Sequence, residues 1–176
     1  NVVGRYAFRL TVTDSLGDPS CLPAEYDVFV ESISDVHVEL LWETPADFST
    51  DDDVGADLDL HLTHPRATGG YDGDGDGVED GWFDDRFDCN WANRAPDWGA
   101  ETSIDDNPSL DRDDVDGVGP ENLSFNHPEQ GAEYKIGVHY YKASGFGISK
   151  ATVRVYLYGE LALEVEGVEL SERDMW

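Results

Sequence analysis

Four aspartates stand close together in the glycine-rich stretch at 71–88, which reads YDGDGDGVEDGWFDDRFD. Single glycines separate Asp72, Asp74 and Asp76, and Asp80 follows four residues later. Carboxylates two residues apart on a tightly turning backbone can all point at one centre, and glycine allows the positive φ values that such a turn needs. The spacing therefore predicts a calcium-binding loop.

The rest of the loop departs from an EF-hand. Val78 would offer its carbonyl oxygen and Asp80 would take the ninth position, but Phe83 stands where an EF-hand has its bidentate glutamate. Asp84 or Asp85 could close the shell instead. In this respect the stretch resembles the thrombospondin type 3 repeats, which implies calcium ligation in an extracellular protein. The alternative is a solvated acidic loop that holds no metal.

A second group of carboxylates surrounds the glycine turn at 117–120. Acids at alternate positions enter this turn, and Glu121 leaves it. Asp57 and Asp59 share the outward face of a predicted strand and could supply the other half of a shell of oxygen ligands, which suits a hard cation. The predicted ligands of this second site are Asp57, Asp59, Asp111, Asp113, Asp116 and Glu121. Without metal, Asp111 and Asp113 would instead cap turn amides and pair with arginines.

The charge of the chain narrows the classes of partner. It carries 39 acidic and 11 basic residues, which gives a formal net charge of −28 in 176 residues. Such a field repels nucleic acid and anionic membrane surfaces, so neither partner is expected, and no apolar run is long enough to span a membrane. An acidic surface also suits a halophilic protein. The clustering of the acids in glycine-rich stretches favours cation binding instead.

Cys21 and Cys89 are the only cysteines of the chain. In an oxidising compartment, two cysteines most simply form one disulfide, which is the prediction for this pair. The alternative is two buried free thiols, since the spacing fits no zinc motif.

Three tryptophans, Trp82, Trp91 and Trp98, flank the acidic stretch. Exposed tryptophans beside calcium can stack on sugar rings and would form a carbohydrate-binding surface. The interpretation slightly favoured over this one is a small core beneath the long loops, which large aromatic side chains commonly form.

Two histidines are candidates for catalytic or metal-binding residues. His61 lies near Asp59, and His139 lies in a tyrosine-rich stretch, so an imidazole pair could serve a transition metal or acid–base chemistry. No nucleophile or metalloprotease motif accompanies them. Both are therefore interpreted as hydrogen-bonded sheet residues, and no enzymatic activity is expected.

Apolar and polar residues alternate through most of the remaining chain. No segment has helical periodicity, so the pattern predicts an all-β fold, an antiparallel β-sandwich of the jelly-roll or Ig-like kind. A long insertion at about 64–109 would be ordered by calcium. The predicted strands lie at 5–13, 26–30, 36–42, 57–63, 134–140, 151–157 and 160–170, with a tight turn at Tyr158-Gly159.

Two resemblances add a domain organisation. The segment GRYAFRLTVTDSLGDPS and the following YDVFV, within residues 1–32, resemble the final two strands of a PKD or similar Ig-like domain. An orphan strand pair exposes open edges, which favours pairing with a neighbouring domain or copy. Residues 33–176 look like the YfaP-like β-sandwich domain of bacterial, including myxobacterial, secreted proteins. The matching segments are LLWETP, DLDLHLTHP, LDRDDVDGVGPEN, YKIGVHYY and ATVRVYLYGEL.

Together these features predict a calcium-binding structural or assembly module of a bacterial surface or secreted protein, with strand pairing into a filament or layer as one role. The alternative is a calcium-dependent carbohydrate-binding or adhesion domain of a larger secreted protein. The chain is expected to be a processed product or a piece of a longer one, because it starts in mid-pattern without an initiator methionine.

Overall fold

The computed structural model describes residues 2–49, 54–70, 72, 75–99, 103–115 and 117–176. Within these ranges the protein consists of strands and connecting turns, all paired strands are antiparallel, and no helix is long and apolar enough to cross a membrane. The predicted all-β, antiparallel class is therefore confirmed. The strands are β1 Gly4–Leu10, β2 Ala24–Val30, β3 Val36–Glu43, β4 Asp57–Thr63, β5 Asp88–Cys89, β6 Ser109–Arg112, β7 Glu121–Phe125, β8 Lys135–Lys142, β9 Ser149–Leu157 and β10 Glu160–Leu170.

The chain divides after Ser32 into two compact units. The first is the β1–β2 hairpin, whose register runs from Gly4 opposite Val30 to Leu10 opposite Ala24. Because side chains alternate along a strand, one face of the hairpin is apolar and the other carries ion pairs such as Arg5–Asp27. The apolar face is open, and its side chains Tyr6, Phe8, Leu10 and Tyr26 are 38–72% exposed.

The second unit contains two sheets that share one apolar core. The larger has the order β10-β9-β3-β7-β6, and the smaller has the order β5-β4-β8. Leu40 of β3, Leu60 of β4, Leu123 of β7 and Val138 of β8 are fully buried between them, which is a sandwich-like arrangement. Burying each such side chain stabilises the fold by about 1.5–3 kcal/mol.

Each strand predicted from alternation is present, with small shifts at its ends. Tyr158 and Gly159 form the predicted two-residue turn, with φ values of 53° and 82°, as a type I′ hairpin turn requires. The short strands β5, β6 and β7 were not predicted. β5 has two residues and β6 has four, which is too short for a period to show.

The outward face of β4 is covered rather than open to solvent. Asp59 is 3% exposed and His61 is fully buried. The segment around Trp82 lies over this face, and the indole approaches Gly137 of β8 so closely that a Cβ there would stand 2.7 Å from it. The same segment is tied to the start of the insertion, because the Gly81 amide donates to the Gly69 carbonyl at 3.0 Å.

The expected Cys21–Cys89 disulfide is not formed, and both cysteines are free thiols. Cys89 is fully buried in the core of the second unit, where its Sγ lies 3.6 Å from the Arg94 carbonyl oxygen. Burial raises the pKa of the Cys89 thiol to about 12, which suppresses the reactive thiolate. Cys21 is exposed in the first unit.

Candidate metal centre

Three carboxylates from separate parts of the chain meet at the open edge of β4. Asp59 belongs to β4, Asp113 follows β6, and Glu121 begins β7. The edge is open here because β5 pairs only with the far end of β4, at Leu62 and Thr63. The amide of Leu60 points out of this edge and donates to Glu121 Oε2 at 2.6 Å. The hydrogen bond fixes the glutamate beside Asp59.

The spacing of these oxygens fits a cation. One oxygen from each of the three carboxylates lies within 4.8 Å of the others. Two oxygens bound to the same calcium ion at 2.3–2.6 Å can lie at most about 5 Å apart, so the three can share one ion. All three donors are carboxylate oxygens, which favours a hard cation such as calcium over zinc or copper. This is the only group of three potential metal ligands of this kind in the described ranges.

Burial makes this group unstable without a counter-ion. Asp59 and Glu121 are 3% and 0% exposed, and Asp59 Oδ2 is buried with no hydrogen-bond partner among the residues that the structure describes. Burial raises the pKa of Glu121 to about 10, with further upward contributions from Asp59 and Asp113. Buried carboxylates this close either take up protons or bind a cation, since like charges in a poorly solvated site repel strongly.

Asp57 adds a fourth acid to the same field. Burial, followed by repulsion from Asp59 and Asp113, raises the pKa of Asp57 to about 7, while Lys142 lowers it. Its Oδ1 is buried and accepts no hydrogen bond in the described structure. Asp57 is therefore placed to join the ion shell formed by the other three carboxylates.

The nearby basic groups compensate only part of this charge. His139 Nδ1 lies 3.5 Å from Asp59 Oδ2, and Arg94 Nη1 lies 3.9 Å from Asp113 Oδ2, which is long for an ion pair. Arg112 is engaged by Asp114 at 2.5 Å. When its carboxyl groups are ionised, the site therefore carries more negative than positive charge.

The loop that carries Asp113 is held rigidly against β3. The Trp42 amide donates to the Val118 carbonyl at 3.3 Å. Gly119 has a φ of 77°, and a Cβ at this position would stand 2.9 Å from the Leu40 carbonyl oxygen. Only glycine permits both this conformation and this close approach. The glycine turn recognised in the sequence thus fixes the entrance to β7 and with it Glu121.

In the first predicted calcium loop, two of the described aspartates accept hydrogen bonds from backbone amides of the loop itself. Asp72 accepts the amides of Gly75 and Gly77 at 2.7 and 2.9 Å, and Asp76 accepts the amide of Val78 at 2.7 Å. These are bonds of a self-capped turn. Asp74 lies outside the described residues. A calcium ion in this loop stays a prediction.

Two further loop acids have other partners in the structure. Asp80 pairs with Lys135 at 2.7 Å. Asp84 accepts the amides of Thr68, Arg86 and Phe87; burial alone would raise its pKa, but these three bonds together lower it. Both carboxylates therefore tie the insertion together, and Asp84 has little capacity left to complete a calcium shell.

Of the other predicted ligands at the second site, Asp111 is used elsewhere. Its Oδ2 accepts the hydroxyl of Ser124 at 2.5 Å, away from the three-carboxylate group. Asp116 lies outside the described residues. The structure therefore brings together Asp59, Asp113 and Glu121, with Asp57 beside them, from the larger predicted set.

The tryptophans separate into two kinds. Trp82 and Trp98 are 6% and 3% exposed, so both are core residues, as the favoured interpretation had it, and neither ring is available to stack on a ligand. Trp98 packs among Phe125, Tyr134 and His64, with ring centroids 5.2–6.2 Å away. Trp91 alone of the three keeps an accessible ring.

Sequence inspection missed a buried pair next to the metal centre. His61 Nδ1 lies 2.7 Å from Asp88 Oδ2, and both side chains are fully buried. Asp88 also accepts the Phe83 amide at 2.6 Å, so it holds the covering segment onto β4. Nothing in the local pattern marks Asp88, because it stands in a run of acids and its partner is 27 residues away.

Comparisons of the chain with protein-family models, with curated proteins and with solved structures gave no match. The resemblances to YfaP-like and PKD-like domains accordingly stay predictions.

Proposed function

We propose that this chain is a calcium-binding β-sandwich module of a bacterial surface or secreted protein, and that it acts through structure and binding rather than catalysis. The observation that carries the proposal is the buried group of Asp59, Asp113 and Glu121 at the open edge of β4. Its all-oxygen chemistry suits calcium, and its burial leaves the carboxylates poorly neutralised without an ion.

In this proposal the ion replaces missing strand pairing. Among the described residues no strand pairs with the edge of β4 beside Leu60, and the glutamate at the start of β7 bonds to it from the other sheet. A calcium ion would join that edge to β7 and to the loop after β6. Metal binding would therefore stabilise the folded state by the binding free energy, since the unfolded chain has no preformed site.

The experiment is a calcium titration of the chelated protein, followed by thermal melting, with magnesium at equal ionic strength as the reference. We expect the melting temperature to rise with calcium and to respond much less to magnesium, which demands a smaller octahedral shell. Asp113→Asn should weaken calcium binding by about tenfold or more, while leaving the fold intact.

Glu39→Gln is the matched control. Glu39 is fully buried, but it lies on β3 beside Tyr156 and His37 rather than in the three-carboxylate group. Its substitution should leave the calcium response unchanged. If both variants lost the calcium-dependent rise in melting temperature equally, or if magnesium stabilised the wild type as much as calcium does, the proposal would be contradicted.

The first unit supports a second candidate role, which is self-assembly. Its hairpin exposes an apolar face and two unpaired strand edges. Three half-exposed aromatic rings and Leu10 present roughly 400–500 Å² of apolar surface, so two copies face to face would bury about 1,000 Å². This is the lower limit of a specific interface. We therefore propose weak, concentration-dependent association of two copies through this face.

A further inference from the structure

An accessible pair of aromatic rings lies on the second unit. Trp91 and Tyr141 are 44% and 51% exposed. Their ring centroids are 6.1 Å apart and their planes are tilted by 45°. Large amphipathic aromatic rings that remain accessible in pairs are typical of ligand-binding surfaces.

Tyr141 of this pair borders a cleft that has charged side chains in its walls. Tyr141 lines a cavity of about 610 Å³ together with His139, Lys142, Glu172 and Arg173. That volume lies within the range of small-molecule sites. Lys142 and Arg173 supply hydrogen-bond donors and Glu172 supplies an acceptor, so the walls can bond to groups that both donate and accept.

Both rings are carried by segments that contact the candidate metal ligands. Tyr141 lies on β8, two residues after His139, whose Nδ1 is 3.5 Å from Asp59 Oδ2. Trp91 lies three residues before Arg94, whose Nη1 is 3.9 Å from Asp113 Oδ2. The Arg94 carbonyl also accepts the amide of Leu110 in β6. An ion bound between Asp59 and Asp113 would therefore fix both segments and the spacing of the rings.

We infer that the Trp91–Tyr141 pair and its cleft bind a neutral saccharide, and that this binding depends on the cation. The inference rests on the proposed calcium centre. A pyranose ring offers an apolar C–H face to an aromatic ring, and its hydroxyls donate to and accept from the cleft walls. The net charge of −28 disfavours an anionic ligand. An apolar peptide would leave the charged walls desolvated and unpaired.

The test uses the full chain on an array of neutral gluco-, manno-, galacto- and N-acetylglucosamine oligomers, in calcium and in chelator. We expect retention on at least one oligomer class in calcium and its loss in chelator. Calorimetry with that oligomer should show a loss of about tenfold or more for Trp91→Ala, as removal of a central aromatic contact does. Trp91→Phe should retain part of the affinity, since a ring remains.

Phe48→Ala, which removes a 95% exposed ring outside the cleft, should bind as the wild type does. Thermal melting of the same samples with and without calcium reports the metal centre independently. A calcium shift without retention of any neutral oligomer would overturn the saccharide inference and leave the calcium centre standing. Retention that survives chelation, or that survives Trp91→Ala, would also overturn it. Absence of the calcium shift itself would count against the proposed function.

Discussion

Buried carboxylates are the side chains that determine the chemistry of the candidate metal site. Glu121 is fully buried beside Asp59 and Asp113, where an ionised carboxylate is unfavourable unless it is paired. Its Oε2 receives one strong amide bond from Leu60, and its other oxygen has only a 3.4 Å contact with the Asp114 amide. A buried carboxylate with so few hydrogen bonds lowers the stability of the folded state. Such locally unfavourable groups are expected at binding sites.

The acids of the metal centre predict a distinctive pH dependence of the metal-free protein. The folded pKa of Asp57, about 7, and that of Glu121, about 10, lie above the ordinary values of 3.8 and 4.5. A carboxyl of this kind contributes full stability below its unfolded pKa and loses it as pH rises through its folded pKa. In chelator, the contribution of Glu121 should therefore continue to fall up to about pH 10, and both groups together should lower the free energy of unfolding between about pH 4.5 and about pH 7.

Urea unfolding at both ends of that range measures the effect. His64 contributes an opposite slope, because burial lowers its pKa and folding then disfavours its charged form at low pH. Comparison with Asp57→Asn isolates the carboxyl, since the variant keeps His64 and should lose part of the decline. Saturating calcium should remove the decline, because a bound ion holds the ligands ionised. An Asp57→Asn variant with the wild-type slope would contradict the prediction.

At the level of elements, alternation predicted the strands because one face of each strand packs into a core. Leu58, Leu60 and Leu62 are inward and buried, as their spacing indicates. The same alternation placed Asp59 and His61 on the outward face, but it gave no sign that this face is buried. Their burial depends on the segment around Trp82, which folds back over β4 from another part of the chain. Local periodicity carries no information about such a cover.

The candidate site was also predictable only in part, because local sequence patterns do not show which side chains meet in the fold. The glycine turn before Glu121 and the outward pair at Asp57 and Asp59 indicated acids that could meet across the two sheets. Which acids of the Asp111–Asp116 run turn toward the site depends on the bulge between Leu110 and Arg112 where β6 pairs with β7. A bulge reverses the side-chain direction by one residue, and no sequence pattern specified it.

The covering segment gives a prediction at this scale. Trp82→Ala should lower the free energy of unfolding by about 3–5 kcal/mol, because the buried indole fills the space above Gly137 and its removal leaves a cavity. Trp91→Ala, which truncates a 44% exposed ring, should cost within about 1 kcal/mol. Chemical denaturation of the two variants makes the comparison. Similar losses in both would show that Trp91 is part of the core rather than of a binding surface.

The whole molecule combines a strongly acidic field with two separate units. A net charge of −28 makes the chain self-repulsive, and any salt reduces that repulsion by screening. Calcium bound at one site acts differently, because it neutralises specific buried groups at concentrations too low to change the Debye length. Comparison at constant ionic strength therefore separates the proposed site from a general salt effect.

The apolar hairpin face predicts the association state. The full chain should show a sedimentation coefficient that rises with concentration, as expected for an interface of about 1,000 Å². Phe8→Ser combined with Tyr26→Ser removes two rings that face each other across β1 and β2, and it should leave the chain monomeric. Arg5→Ser on the opposite face is the matched control and should associate like the wild type. A wild-type chain that stays monomeric at every concentration, in calcium and at moderate salt, would rule out assembly through this face. Association that persists in the Phe8/Tyr26 variant would place the interface on the second unit instead, where the unpaired outer edge of β10 is the next exposed strand.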